Sequence, residues 1–262
     1  MGLHNRRPLE GAFGREIMNV IRVLCHVFLV AAVSGQGYDG HGRQDFDARR
    51  LQAGTFRYRD SKVGRPDGES VIRVQKLMDG NMYAFSNIVD GPSSQHWSAT
   101  ISTDFTPLSA ELTFGDGPTA HKAFQLSYQA ARVTGFAATT REGSGSVDRA
   151  VDDIVAPDTV DQRIDWAAVM SLNRYTPQQQ FLFHVYDPKG GNSQVVATVM
   201  GLQTIHVAAG TFGVVRIVYR ISKATGTEAF EVFVNESTPR FLVKEVFPDG
   251  LTSELLKISP NV

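Results

Sequence analysis

The sequence predicts an all-β protein, built as one large curved antiparallel sheet (a half-barrel, an open barrel or a sandwich) with one short helix packed against it. Three observations predict this class. After residue 50, apolar and polar residues alternate with a period of two, which is typical of strands with one buried face. Turn-forming triplets such as Asp79-Gly80-Asn81 separate the alternating runs as they would in hairpins. A single stretch in the second half has helical spacing instead.

The first 35 residues predict an N-terminal extension that includes a secretory signal peptide, with the signal proper at 18–35. Arg22 precedes an apolar run at 23–33, and small residues follow it, which is the three-part order of a signal peptide. The run is short for a membrane span, because spanning takes about 20 apolar residues. We therefore expect an exported protein, periplasmic or extracellular, whose translation starts at Met1 or Met18. A membrane-anchoring or buried N-terminal helix is the alternative.

The only cysteine, Cys25, lies inside this apolar run. Cleavage after Ser34 or Gly35 would leave a mature chain without cysteine, which excludes disulfides, thiolate nucleophiles and Cys-ligated zinc. Leu24 stands where a lipoprotein signal needs a small residue, so we expect no lipid anchor. No later apolar run reaches membrane-spanning length, and we expect no stable transmembrane segment once the signal is removed.

Composition and charge predict a packed domain with no general attraction to polyanions. Apolar residues make up 42% of the chain, which is enough for a core. Lys and Arg total 26 against 27 Asp and Glu, so no basic field points to nucleic acid or to an anionic membrane surface. We expect a flexible linker at 36–49, then a single monomeric β domain at 50–260.

The predicted strands follow one another along this domain. "HWSATIS", "SAELTF" and "KAFQLSY" alternate in its first half, and "VVRIVYRI", "FEVFVN" and "FLVKEVF" in its second. Their β-branched and aromatic residues suit a half-buried pleated surface, and we expect ten to twelve strands in all. The tetrapeptide AGTF occurs twice, at 53–56 and 209–212, with unrelated sequence after each copy. It therefore indicates the start of a strand and not an internal repeat.

One polar stretch, "GSGSVDRAVDDIVAPDTVDQ" at 143–162, breaks the alternation and predicts a long connection. Its aspartates lack the spacing of a calcium-binding loop, which favours a solvated loop over a metal site. In the following "RIDWAAVMSLN", Ile164, Ala168 and Leu172 recur every four residues, which predicts a helix near 164–173. Asp165 is placed to cap this helix.

A twisted antiparallel sheet of this size has to curl, split or close, and a wide closed sheet encloses space. The helix, a second sheet or a bound apolar molecule would fill that space. Strand face and helix position indicate five side chains as the lining of a ligand pocket: Trp166, Met170, Phe181, Phe183 and Tyr219. The alternative is that Trp166 and Met170 plug the core.

The sequence carries no pattern that predicts catalysis. It lacks a phosphate-binding loop, a nucleophile elbow and a metalloprotease helix, and its histidines are dispersed. Glutamates such as Glu245 lie on strands interleaved with basic residues, and we interpret them as exposed cross-strand charge pairs. We predict no catalytic residue, no cofactor and no metal site.

Several segments, taken in order, are similar to exported bacterial proteins of domain-of-unknown-function family 3108. They are "TPLSAELTF", "FQLSYQAARVTG", "DWAAVMSLN", "GLQTIHVAAGTFGVVRI" and "PRFLVKEVFPDGLTSEL", within residues 50–258. The resemblance implies a mainly antiparallel β protein of the envelope. That family has no assigned reaction, so no catalytic residue is carried over. The arrangement also resembles, at the level of fold alone, the half-barrels that carry lipoproteins between membranes.

These observations favour a non-enzymatic envelope protein that binds a lipid or another apolar or amphipathic ligand in a β concavity. The first alternative is a structural or protein-interaction module with a packed interior. The second is an envelope hydrolase, which would need two carboxylates, or Ser, His and Asp, to converge in one cleft.

Overall fold

A computed structural model describes residues 45–90, 94–115, 120–141 and 145–260, all within one compact unit. The predicted signal peptide, Cys25 and the first part of the predicted linker lie outside the described residues. The last part of that linker is described and packed, because Phe46 is buried edge-on against Phe105 and Phe183. The packed chain thus begins before residue 50.

The described residues form fifteen strands and one α-helix. The strands are β1 Gly54–Ser61, β2 Gly68–Lys76, β3 Met82–Asp90, β4 Gln95–Ser102, β5 Pro107–Phe114, β6 His121–Gln129, β7 Arg132–Arg141, β8 Gly145–Ile154, β9 Thr159–Asp161, β10 Gln180–Asp187, β11 Gly191–Val207, β12 Gly210–Lys223, β13 Gly226–Asn235, β14 Leu242–Val246 and β15 Thr252–Pro260. The helix is α1 Asp165–Met170, and a 3₁₀ turn, Gln162–Ile164, leads into it.

All fifteen strands belong to one sheet, in the order β8 to β1 followed by β15 down to β9. Short turns connect most neighbours, which are antiparallel apart from the parallel pair β9 and β10. The pairing of β1 with β15 joins the two halves of the chain in the middle of the sheet. As predicted for AGTF, Gly54 begins β1 and Gly210 begins β12.

The sheet curls until its two end regions meet through side chains. Tyr186 on β10 donates its hydroxyl to Asp153 on β8 at 2.6 Å, and Arg149 Nη2 donates to the Pro188 carbonyl at 2.5 Å. Asn192 Nδ2 donates to the Ile154 carbonyl at 3.1 Å. The molecule is an open, curved sheet with a side-chain seam, which confirms the predicted fold class.

The long connection predicted at 143–162 is wrong for most of its length. β8 pairs with the whole of β7, and Val151 is buried on its inner face. Asp152 on its outward face carries a charge at the end of the sheet, where charge discourages pairing with another chain. The solvated-loop interpretation also fails for Asp161, which is fully buried and accepts a hydrogen bond from Tyr128 at 2.5 Å.

Helix α1 lies inside the curved sheet with all six residues buried. It is shorter than the predicted 164–173, because the 3₁₀ turn replaces its first turn and Ser171 ends it by donating to the Ala168 carbonyl at 2.8 Å. Trp166 packs edge-on against Phe85 of β3. The helix therefore fills part of the interior, as its apolar spacing predicts.

Candidate functional site

A partly enclosed cavity of about 390 Å³ lies between the concave face of the sheet and the N-terminal end of α1. The helix is about 9 Å long, at 1.5 Å per residue, and fills only part of the space that strands of 8 to 14 residues such as β1 and β12 enclose. The apolar side of the cavity wall includes Trp97, Leu112, Trp166, Phe230, Leu242 and Phe247. Both tryptophans of the chain line this cavity.

The polar side of the wall is centred on Tyr219, whose hydroxyl lies between two carboxyl groups. It is 3.2 Å from Asp165 Oδ1 at the start of α1 and 3.3 Å from Glu245 Oε1 on β14. Tyr219 is 0% exposed, Asp165 4% and Glu245 5%. We call these three residues the carboxyl–tyrosine cluster.

The cluster cannot be satisfied with both carboxyls ionised. A tyrosine hydroxyl donates one proton, so the second short contact needs a protonated carboxyl that donates to the Tyr219 oxygen. Burial raises the pKa of Asp165 to about 7. Burial, and then the charge of Asp165, raise the pKa of Glu245 to about 8. The cluster therefore holds at least one carboxyl proton near neutral pH.

A third carboxyl, Asp60 on β1, lies in register with Glu245. Asp60 and Glu245 each pair with Ser253 of β15, so the three residues form a row across adjacent strands. Ser253 donates to Asp60 Oδ1, and Ser70 donates to the same oxygen at 3.2 Å. Burial raises the pKa of Asp60 above its ordinary value.

Among the described residues that line the cavity, Arg163 is the one with a positive charge. Two carboxylates already compensate that charge. Arg163 bonds Asp161 at 3.0 Å and Asp187 at 3.1 Å, and its guanidinium lies 4.7 Å from the ring centre of Phe124. The neighbouring carboxylates raise its pKa against the effect of burial. Within the described part of the chain, Asp60 and the cluster carboxyls have no salt bridge.

Asn87 on β3 adds an unsatisfied acceptor to the same wall. Its side-chain oxygen Oδ1 is buried and has no hydrogen-bond partner within the described residues. Buried polar atoms in native proteins are almost always paired. This oxygen therefore calls for a donor that enters the cavity, either water or part of a ligand.

The five residues expected from the sequence to line a pocket lie in three places. Trp166 and Tyr219 line the cavity. Met170 lines a second, narrow crevice of about 10 Å³ with Trp166. Phe181 and Phe183 are buried in the core on β10 and line neither space. Ligand contact by these five residues stays a prediction.

Sequence reasoning missed the polar half of the site. Glu245, interpreted as an exposed charge pair, is buried at the cavity, and that interpretation is wrong. The signal was present, because Val243 and Phe247 share the face of Glu245 by the period of two. Asp165 is the first residue of α1 and not its N-cap, which is Ile164, so the expected capping role is wrong. Its carboxylate accepts the Trp166 backbone N–H at 2.6 Å and faces the cavity.

Two further findings concern metal binding and membrane crossing by the described residues. Nowhere in them do three or more His, Cys, Asp or Glu side chains come close enough to hold a metal ion. Their single helix is not of the length and apolarity needed to cross a membrane.

Comparison with known proteins does not assign this chain to a family. No protein-family model matches it, and neither does any curated protein. Among solved structures it is similar to the crystal structure of a β-barrel-like protein of domain of unknown function DUF1849 from Brucella abortus. The TM-score is 0.49 at 9% identity, over 80% of this chain and 98% of that chain. The resemblance to family 3108 stays an expectation, and the β-rich fold stands on the strand pairing of this chain.

Proposed function

We propose that this protein is a non-enzymatic binding protein of the bacterial envelope that holds an amphipathic organic ligand in its cavity. The observation that carries the proposal is the cavity of about 390 Å³ with one aromatic side and one polar side. Ligand pockets are typically about 300–1,000 Å³, mainly apolar, with a few convergent polar groups. The carboxyl–tyrosine cluster supplies those polar groups at one place on the wall.

The aromatic side suits the apolar part of such a ligand. Trp97 and Trp166 line it from the sheet and from the helix. Phe230 is partly buried and stacks on Tyr219, with ring centres 4.9 Å apart. Burying one large apolar group against such a wall contributes roughly 1.5–3 kcal/mol. The rival interpretation, a module with a packed interior, is disfavoured because α1 leaves this space unfilled.

A hydrolase is the second candidate, because two carboxyls do converge in the cavity. Asp165 and Glu245 both reach the Tyr219 hydroxyl, and buried carboxyls with raised pKa values are suited to acid–base work. No histidine within the described residues lines the cavity. The interior place of the cluster, against an aromatic wall, favours binding over turnover.

Export and family membership belong to the same proposal. The charge, apolar run and small residues at 18–35 support secretion through a cleaved signal. The ordered segments quoted above support a place among the exported proteins of family 3108. We propose a monomer.

Native mass spectrometry of the protein, expressed from the full chain in a bacterium, tests these statements together. We expect the mass of one chain cleaved after Ser34 or Gly35, carrying a reproducible adduct in the mass range of amphiphiles. Trp166→Ala should lose the adduct, because it removes part of the cavity wall. Phe181→Leu, a matched change in a core aromatic that does not line the cavity, should keep it.

The opposing outcomes are specific. A bare mass that stays bare after an amphiphile is added would overturn the binding proposal and favour the packed module. An adduct that changes mass during incubation, and stops changing in Glu245→Gln, would favour the hydrolase. An uncleaved N-terminus would contradict export.

A further inference from the structure

We propose that the ligand of this cavity is an organic cation, with an ammonium or guanidinium head group bound at the carboxyl–tyrosine cluster and an apolar body against the aromatic wall. This inference rests on the proposed function and deepens it by fixing the charge of the head group. It follows from the inventory of charges and of hydrogen-bond donors on the cavity wall.

The charge inventory of the wall is negative. Among the described residues, Asp60, Asp165 and Glu245 carry no salt bridge, and Arg163 is held by two carboxylates of its own. A bound carboxylate or phosphate would therefore add a further negative group beside three carboxyls, with no cation available to meet it. A cation would instead compensate charges that the fold leaves uncompensated.

The hydrogen-bond inventory points the same way. Around the carboxyls, the Ser70 and Ser253 hydroxyls donate to Asp60, and the Trp166 backbone N–H donates to Asp165. Tyr219 supplies one proton for two carboxyls. Asn87 Oδ1 has no donor from any residue that the structure describes. An ammonium offers three donors and no acceptor, which suits the ionised carboxyls and the Asn87 oxygen.

The position of the carboxyls also suits a head group entering from the cavity. Glu245, Ser253 and Asp60 form one row across three strands, and Tyr219 carries the row to Asp165 on the helix. The Asp165 and Glu245 carboxyls lie 3.2 Å and 3.3 Å from the Tyr219 hydroxyl, so one head group at that hydroxyl lies within reach of both. The aromatic wall adjoins this row, which fits a cation with an apolar substituent.

A series of three probes with the same apolar chain tests the head group. Octylamine, 1-octanol and octanoate are titrated into the purified protein at pH 8, below the concentrations at which they aggregate. Binding is followed by calorimetry and by tryptophan fluorescence, which reports on this cavity because both tryptophans line it. We expect octylamine to bind at least about tenfold more tightly than 1-octanol, and octanoate to bind most weakly.

Variants separate the head-group interaction from general affinity. Glu245→Gln and Asp165→Asn should reduce the preference for the amine over the alcohol to about threefold or less, since each removes one charge. Glu231→Gln, which changes a more exposed glutamate paired with Arg216 at 2.9 Å, should keep the full preference. Should one cluster variant fail to fold, the other variant and the probe series on the wild type still decide the question.

Binding of the amine should also tighten between pH 6 and pH 8.5, while binding of the alcohol stays flat. An ammonium binds best when the cluster carboxyls have lost their protons, and burial raises both pKa values into this range. The groups that face the two carboxyls are Tyr219 from β12, Asp60 and Tyr58 from β1, Asp161 from β9, and Arg163 before the helix.

Each outcome decides between the statements. Affinities within about threefold for all three probes, or tightest binding of octanoate, would overturn the cationic head group and leave the binding proposal standing. Failure of every probe to bind would overturn both. A preference for the amine that persists unchanged in both cluster variants would place the cation elsewhere and refute this site.

Discussion

Glu245 is the side chain whose surroundings depart furthest from those of an ordinary glutamate. It is 5% exposed, lies on the concave face of the sheet, and its Oε1 contacts the Tyr219 hydroxyl. Burial and the nearby Asp165 raise its pKa to about 8. Water stabilises an ionised glutamate, and burial removes that water. The folded state therefore favours the protonated form of Glu245 over the charged form.

Replacing Glu245 with Gln should therefore stabilise the protein in a pH-dependent way. The folded pKa is above the ordinary value, so the folded state binds more protons than the unfolded state and stability falls as pH rises from about 4.5 to about 8. Glutamine does not ionise and escapes this loss. At pH 5 we expect the variant to match the wild type within about 1 kcal/mol, and at pH 8.5 to exceed it by roughly 2–4 kcal/mol.

Urea unfolding followed by circular dichroism at the two pH values measures this difference. Glu231→Gln serves as the control, since it disturbs a surface ion pair worth less than about 1 kcal/mol. A Glu245→Gln effect of the same size at pH 5 and pH 8.5 would show that the glutamate is not protonated in the folded protein at neutral pH.

The same residue shows how far the sequence predicts the site. Alternation places Glu245 on the apolar face of Val243 and Phe247, yet an isolated charge on a strand is ordinarily exposed. Its burial depends on Tyr219 and Asp165, which are distant in sequence. Aromatic alternation likewise predicts that Phe183 faces inward, and it does. The position of the cavity on the inward face depends on how far α1 extends. No local sequence pattern predicts that extent.

At the scale of elements, α1 is stable only because its neighbours hold it. A helix of six residues does not form alone in water. Arg240 Nη1 donates to the carbonyls of Met170 and Leu172 at its C-terminal end, and Tyr175 donates to the Met170 carbonyl at 2.7 Å. The guanidinium also lies 3.9 Å from the centre of the Tyr175 ring. A cation in this position satisfies carbonyls at the helix end that have no partner within the helix, and it stabilises the partial negative charge there.

Arg240→Met should lower the free energy of unfolding by about 2–4 kcal/mol, because it removes the side-chain donor from the buried Leu172 carbonyl and one of two side-chain donors from the Met170 carbonyl. Arg216→Met is the matched control, since Arg216 is partly exposed and pairs with Glu231 on the sheet surface, where the loss should stay below about 1 kcal/mol. Urea unfolding curves of both variants provide the measurement. Equal losses in the two would mean that Arg240 contributes only as a surface charge does.

The elements themselves are predicted from sequence to different degrees. The spacing of Ile164, Ala168 and Leu172 predicts a helix with one buried face. All three side chains are indeed buried. The sequence of β8 does not show the alternation that predicts a strand. Arg149 and Asp153 share the face of the buried Val151, so no run of apolar residues marks that face. Acidic residues that protect an edge resemble those of a loop.

At the scale of the whole molecule, the sheet is completed by contacts between residues far apart in sequence. β1 pairs with β15, and the β8 and β10 regions meet at the seam. Hairpin turns predict which strands are neighbours along the chain. They do not predict how far the sheet curls, because that depends on the summed twist of fifteen strands and on side chains at its ends.

The seam predicts a specific response to the loss of one hydroxyl. Tyr186→Phe removes the 2.6 Å hydrogen bond to Asp153 and leaves the ring packed edge-on against Tyr128. The freed carboxylate then lies at a partly buried position without its donor. We expect amide hydrogen exchange along β8 to speed up by about 5- to 30-fold, corresponding to a loss of roughly 1–2 kcal/mol in local stability.

Tyr83→Phe is the control for this experiment, because Tyr83 is a buried tyrosine on β3 whose hydroxyl makes no hydrogen bond within the described residues. Exchange along β8 should be unchanged in that variant, and exchange along β14 should be unchanged in both. If Tyr186→Phe leaves β8 as protected as Tyr83→Phe does, the backbone pairing of β8 with β7 holds the edge without the seam. If exchange rises along β8 and tryptophan fluorescence stays constant, the seam closes the sheet independently of the cavity.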